Sequence, residues 1–175
     1  MLTEKIQKYT YSGPILAIYP TQNLLNALDA LEGEKDILVL PWVFAKIEDW
    51  VQTWSANEYG QTAVIDTISL PPLVEKAMQG LCCMINKSTG ITHPSDRSAT
   101  IHLFVMLHKA RVELDLVAIR RWLVAVAKLK PSDADEIQEI AKKVLEGKRL
   151  RYETGQWKPN IIDIWQSELT VKNRS

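Results

Sequence analysis

Two short apolar runs, each closed by proline, give the chain its clearest pattern. Residues 14–20 read Pro-Ile-Leu-Ala-Ile-Tyr-Pro, and residues 36–42 read Asp-Ile-Leu-Val-Leu-Pro-Trp. Continuous apolar runs of this length are expected of strands buried on both faces. Between them Leu24, Leu25, Leu28 and Leu31 recur at helical spacing behind Thr21, whose hydroxyl can cap the helix, and Gly33 ends it. Residues 43–55 are expected to form a second helix, with Val43, Ile47, Trp50, Val51 and Trp54 on its buried side. Residues 62–68 are rich in β-branched side chains and suit a third strand. Strands alternating with helices imply parallel pairing through crossovers.

From Pro71 onward the period is helical. Pro71 and Pro72 open a helix whose buried stripe is Leu73, Val74, Ala77, Met78, Leu81, Cys82 and Ile85. Residues 86–98 read as a polar loop and are the one candidate seam. Three more helices are expected: one from Ser95 or Asp96 through Val112, one capped by Asp115 through Leu129, and one capped by Ser132 through Glu146. Residues 149–175 form a mixed segment in which Tyr152, Trp157 and Trp165 mark an arm that docks on its own domain or exchanges with a second subunit. The expected fold is α/β, a small parallel sheet of about three strands covered by helices and followed by a helix-rich C-terminal half. Residues 1–175 form one domain in this reading, with an α/β layer at 1–86, a helical subdomain at 87–150 and the arm at 151–175.

Composition adds limits rather than detail. With 175 residues, 46% of them hydrophobic, the chain can bury a core without disulfides. Cys82 and Cys83 are its only cysteines and are adjacent, so they make no disulfide framework and suit a reducing compartment. No run is long enough to span a bilayer and the first residues lack the apolar core of a signal peptide, so a cytoplasmic location without a membrane partner is expected. A net charge of zero conceals a split: residues 1–96 hold 6 basic and 11 acidic side chains, residues 97–175 hold 15 and 10. The split fits self-association of opposite faces, a basic face for nucleic acid, or two differently decorated solvated surfaces.

Two places concentrate polar chemistry. At the end of the first run, Thr21, Gln22 and Asn23 stand where open parallel sheets hold ligands and are candidate ligand-binding residues, although ordinary capping also accounts for them. Neither strand end carries a glycine-rich phosphate loop, which argues against a dinucleotide or P-loop nucleotide. The 86–97 loop supplies His93, Ser95, Asp96 and Arg97 as candidate catalytic residues. His93 can exchange protons near neutral pH, Asp96 can orient it and Arg97 can bind an anion. The competing reading has Ser95 and Asp96 capping a helix behind a His93-Pro94 turn.

His102 and His108 are six apart, which turns them about 120° from one another on a helix, so no metal site is expected; no cofactor is implied either. Arg97, Lys109, Arg111, Arg120, Arg121, Lys128 and Lys130 invite a nucleic-acid reading, but the helix from Leu116 is too apolar for a groove and Asp133 to Glu139 would repel phosphate. The favoured function is a non-catalytic interaction or regulatory protein, with a protein partner or a second copy. The alternatives are a small enzyme or anion-binding protein using the 86–97 loop, and nucleic-acid binding through the basic half.

Overall fold

In the computed structural model the described residues are 12–31, 36–54, 56, 57, 59, 68–86 and 90–172. The chain divides into two compact units, Met1–Thr67 and Ile68–Ser175. The division falls before the Pro71-Pro72 helix, ahead of the seam expected at 86–98, because that helix packs on helices that follow it in sequence. The third strand expected at 62–68 falls outside the described residues except for Ile68, which is in neither strand nor helix. Gly33, the expected helix stop, also lies outside them.

In the first unit, β1 (Ile15–Ile18) and β2 (Ile37–Leu40) pair in parallel, Ile15 opposite Ile37 and Ile18 opposite Leu40. The ladder continues at both ends, where Ile15 N–H donates to Asp36 O at 2.8 Å and Tyr19 N–H to Leu40 O at 2.7 Å. Between the strands runs α1 (Gln22–Asp29), so the first unit holds the strand-helix-strand crossover that the two proline-closed runs imply. Its apolar stripe falls on the sheet: Leu28 and Leu31 pack with Ile15 and Ala17, and Leu25 packs with Ile47 and Trp50.

Burial of the strands on both faces is corrected by the structure. Side chains alternate across a strand, and among the described residues α1 packs on the face that carries Ile15 and Ala17. Ile15 and Ala17 are buried and Ile37 and Val39 partly so, whereas Leu16, Ile18, Leu38 and Leu40 are 55, 56, 62 and 47% exposed. The single helix expected over 43–55 is also corrected. A one-turn 3₁₀ segment, Phe44–Lys46, is followed by α2 (Glu48–Trp54), with Ile47 between them at φ −118°, ψ 0°. That break leaves Val43 and Phe44 exposed while Ile47 and Trp50 are buried.

The second unit is all helix among its described residues: α3 (Pro72–Met84), α4 (Pro94–Lys109), α5 (Leu116–Ala125), α6 (Pro131–Leu145) and α7 (Ile161–Lys172). They pack in the order α5, α6, α4, α3, α7, each against the next. Leu81, Leu103, Phe104, Leu107, Leu123 and Ile137 are fully buried. The mixture of a parallel sheet with a helix-rich C-terminal half is the fold class that the sequence implies.

Capping chemistry sets some helix ends and proline or left-handed residues set others. Asp115 caps α5 as expected, its Oδ1 accepting the N–H groups of Val117 and Ala118 at 3.0 Å. Ser132 does not cap α6; the cap position is Lys130, which offers no side-chain bond, and Pro131 stands at the first helical position, where its missing N–H leaves nothing unsatisfied. The 86–98 loop is shorter than expected, because Gly90–Thr92 is a 3₁₀ turn and α4 begins at Pro94. α4 and α5 stop short of Val112 and Leu129, and beyond each end a residue takes positive φ, Arg111 at 56° and Lys128 at 58°.

The aromatic arm folds onto its own unit and contributes α7. Trp157 and Trp165 are buried, meet edge to face at 5.7 Å, and lie over Gly80 of α3. A Cβ at Gly80 would come 3.2 Å from Trp165 and 3.4 Å from Trp157, so the glycine makes room for both indoles.

Candidate functional site

His93, Ser95, Asp96 and Arg97 stand at the start of α4 in the second unit. His93 is the cap residue, and its Nδ1 accepts the Ser95 backbone N–H at 3.3 Å while lying 2.8 Å from Ser95 Oγ. Ser95 Oγ donates to Asp96 Oδ1 at 3.0 Å, and Asp96 Oδ2 accepts the N–H of Asn86 at 3.1 Å. Arg97 turns the other way and pairs with Glu136 of α6 at 2.5 Å. Three of the four expected residues are therefore in one hydrogen-bonded chain, and the fourth is held by a neighbouring helix.

The order of that chain matters chemically. Nucleophilic catalysis needs the imidazole between hydroxyl and carboxylate, so that one nitrogen takes the hydroxyl proton while the other is oriented. Here the hydroxyl lies between imidazole and carboxylate. Its single proton cannot serve both neighbours at once, and the same atoms satisfy the N–H of Ser95 and the incoming strand of backbone at Asn86. The arrangement fastens the first turn of α4 to the preceding loop.

Thr21, Gln22 and Asn23 belong to the first unit, Thr21 as the cap of α1 and Gln22 and Asn23 in its first turn. Thr21 Oγ1 accepts the Leu24 N–H at 3.2 Å, the Gln22 amide donates to Asn26 Oδ1 at 2.9 Å, and Asn23 is exposed. Next to them Tyr19 takes a left-handed φ of 51° and meets Trp42 edge to face at 5.3 Å. These two rings follow the ends of β1 and β2 and are 58 and 79% exposed.

Sequence reasoning missed the partners of its own candidates. Trp50 and Trp54 donate their indole N–H groups to the two carboxylate oxygens of Asp29, each at 3.0 Å. Arg120 pairs with Asp135 at 2.5 Å, so that it and Arg97, two of the seven basic residues, are tied to α6. Asp133 lies against Gly90, and burial raises its carboxyl pKa above the usual value, a rise opposed by Lys130 and by the N–H of Ile91. The hydrogen-bonded and ion-paired partners are 15 to 39 residues apart, Asp133 meets Gly90 at a turn, and no local spacing announces them.

The remaining histidines and thiols are dispersed. His102 stacks on Tyr152 at 5.6 Å in a site whose burial, aided by Lys109, lowers its pKa, and His108 is exposed in the last turn of α4. Cys82 is half-buried and Cys83 exposed, both as thiols outside any disulfide. Among the described residues no three His, Cys, Asp or Glu side chains are grouped to hold a metal ion, and no helix is long and apolar enough to cross a membrane.

No curated protein and no solved structure matches the chain. Residues 70–166, running from the residues before α3 into α7 and lying wholly in the helical second unit, match a family model. That match spans more than half of the sequence, and the chain belongs to the family described as Domain of unknown function (DUF1889).

Proposed function

We propose that this chain is a non-catalytic interaction protein that docks, by the outer face of its sheet, on the basic second unit of another copy. The observation that carries the reading is the set of four aliphatic side chains on the outer face, Leu16 beside Leu38 and Ile18 beside Leu40, each about half exposed or more. Tyr19 and Trp42, which follow the ends of the two strands and meet edge to face, add two exposed aromatic rings to this unit. Contiguous apolar surface of this kind favours burial against another molecule, and exposed aromatic rings are the usual anchors.

Charge selects the partner. Residues 1–67 carry 4 basic and 9 acidic side chains, and residues 68–175 carry 17 and 12. Two acidic units facing one another would repel, whereas the acidic unit of one copy attracts the basic unit of the next. The same excess of acid in the first unit disfavours an anionic membrane as the occupant. Against a catalytic role stands the bonding at His93, Ser95, Asp96 and Arg97, all of which serve the start of α4 or its contact with α6.

Sedimentation velocity over a range of protein concentrations tests the reading. The intact chain is expected to dimerise, Leu38→Asp and Leu16→Asp to shift it towards monomer with helical content unchanged, and salt raised from roughly 0.05 to 0.5 M to weaken it. A chain that stays monomeric throughout overturns the proposal, as does a dimer indifferent to both substitutions. A dimer broken by the substitutions but not by salt overturns the choice of the basic unit as occupant.

A further inference from the structure

Where the last residue of α1, the first of β2 and two tryptophans of α2 come together, Asp29, Ile37, Trp50 and Trp54 line a cavity of about 230 Å³ that is partly open to solvent. We propose that this cavity binds a small neutral aromatic molecule, a single ring or a fused pair of rings. The site is separate from the docking face, because successive side chains of β2 point to opposite sides of the sheet: Leu38 belongs to the outer face, and Ile37 packs against the cluster of Leu25, Ile47 and Trp50.

The volume sets the size of the guest. An apolar cavity of about 150 Å³ already admits benzene, so the 230 Å³ here leaves room for one substituted ring or an indole-sized pair, and it falls below the roughly 300 Å³ at which pockets for drug-sized ligands begin. The walls set its chemistry. Apart from Asp29, the described lining is Ile37 and two indoles, at the margin of the first unit's core. Such walls give a ring dispersion contacts together with the edge-to-face or offset packing that aromatic pairs prefer, and a saturated ring of equal size gains only the former.

The walls are also held in place before a ligand arrives. Trp50 and Trp54 donate their indole N–H groups to the two oxygens of Asp29, each at 3.0 Å, so little side-chain freedom is left to lose on binding. Those bonds satisfy both N–H groups within the protein, and a ligand need bring no acceptor for them. Asp29 and Trp54 have further contacts of their own, which fix the wall more firmly. A neutral ring makes no demand on the carboxylate, whatever else it meets. An ionised ligand would instead have to shed its water against Ile37 and the two indoles, which disfavours it.

Heteronuclear NMR of the full chain, following indole N–H and backbone amide signals, tests the site with three neutral probes: indole, benzyl alcohol and the saturated counterpart cyclohexylmethanol. Indole and benzyl alcohol are expected to bind with a Kd of about 1 mM or tighter, and to shift the indole signals of Trp50 and Trp54 and the amide of Ile37 most. Benzyl alcohol is expected to bind about threefold or more tightly than cyclohexylmethanol, the margin that packing between aromatic rings supplies. Trp54→Leu, which removes one wall, and Ile37→Phe, which fills the space with a ring of the protein's own, are each expected to weaken indole binding about tenfold or more. Circular dichroism establishes that each variant is folded; should one unfold, the other decides, together with the position of the shifts in the parent chain. No binding of either aromatic probe, equal binding of cyclohexylmethanol, largest shifts elsewhere in the chain, or indole binding untouched in a folded variant overturns the proposal.

Discussion

The indole N–H of Trp157 donates to the backbone carbonyl of Ala99 at 2.8 Å, a buried bond that ties the segment after α6 to the middle of α4. Because the two residues are far apart in sequence, the bond fixes the path by which α7 reaches α3. Trp157→Phe keeps most of the ring and removes the donor, and is expected to cost about 1–3 kcal/mol in urea unfolding. Trp157→Ala, which also empties the site, should cost about 3–5 kcal/mol.

Gly80 offers a sharper probe of the same contact. A valine there would drive its methyl groups into Trp157 and Trp165, already 3.4 and 3.2 Å from an added Cβ. Gly80→Val is expected to lose about 1–3 kcal/mol despite the better helix propensity of any side chain over glycine. Intrinsic fluorescence should report the displaced indoles.

Gly90 is constrained twice. Its φ of 61° belongs to the left-handed region, and an added Cβ would collide with the Asp133 carboxylate. Gly90→Ala is expected to destabilise the second unit by about 1–3 kcal/mol, the left-handed backbone alone accounting for roughly 1–2. Combining it with Asp133→Ala should be less costly than the sum of the two changes, a coupling that a double-mutant cycle measures.

His102 makes stability depend on pH. Burial first and Lys109 second disfavour its charged form, so its pKa in the folded chain lies below the ordinary imidazole value of about 6.5. Below that value the unfolded chain binds the proton more readily, so stability falls as pH drops through 6.5 towards the lower folded pKa. Asp133 acts in the reverse sense in a more acid range, its raised pKa making protonation favour the folded state. His102→Phe retains a ring against Tyr152 and should flatten the unfolding midpoint between about pH 7 and pH 5 relative to the parent chain.

The turn into α4 distinguishes capping from catalysis. His93→Ala and Asp96→Ala remove acceptors for the N–H groups of Ser95 and Asn86, and each is expected to cost about 0.5–2 kcal/mol. Thermal unfolding followed by circular dichroism checks the magnitude.

Much of this fold is written in short-range chemistry. Prolines at 14, 20 and 41 bound the two strands, Thr21 and Asp115 begin helices, and the stripe from Val74 to Leu81 is buried where its spacing says it should be. What escaped depends on what lies overhead. An apolar strand with one covered face and an apolar strand with two look alike in sequence, so nothing in Leu16 or Leu38 declared them exposed. Ser132 resembles a cap, yet Pro131 had already set where α6 starts. Of the candidate sites, the bonding among His93, Ser95 and Asp96 follows from their adjacency, whereas Asp29 meets Trp50 and Trp54 only through tertiary packing, which also sets Leu25 against Trp50.

The bare spot at Gly80 also sets an order of events. α7 finds its place not by a protruding key but by a vacancy in α3, and that vacancy is roofed by indoles almost eighty residues later in the chain. A polypeptide interrupted before Trp157 would leave Gly80 without those indoles for cover, and quality-control proteases would meet a greasy notch where the finished protein offers a closed surface.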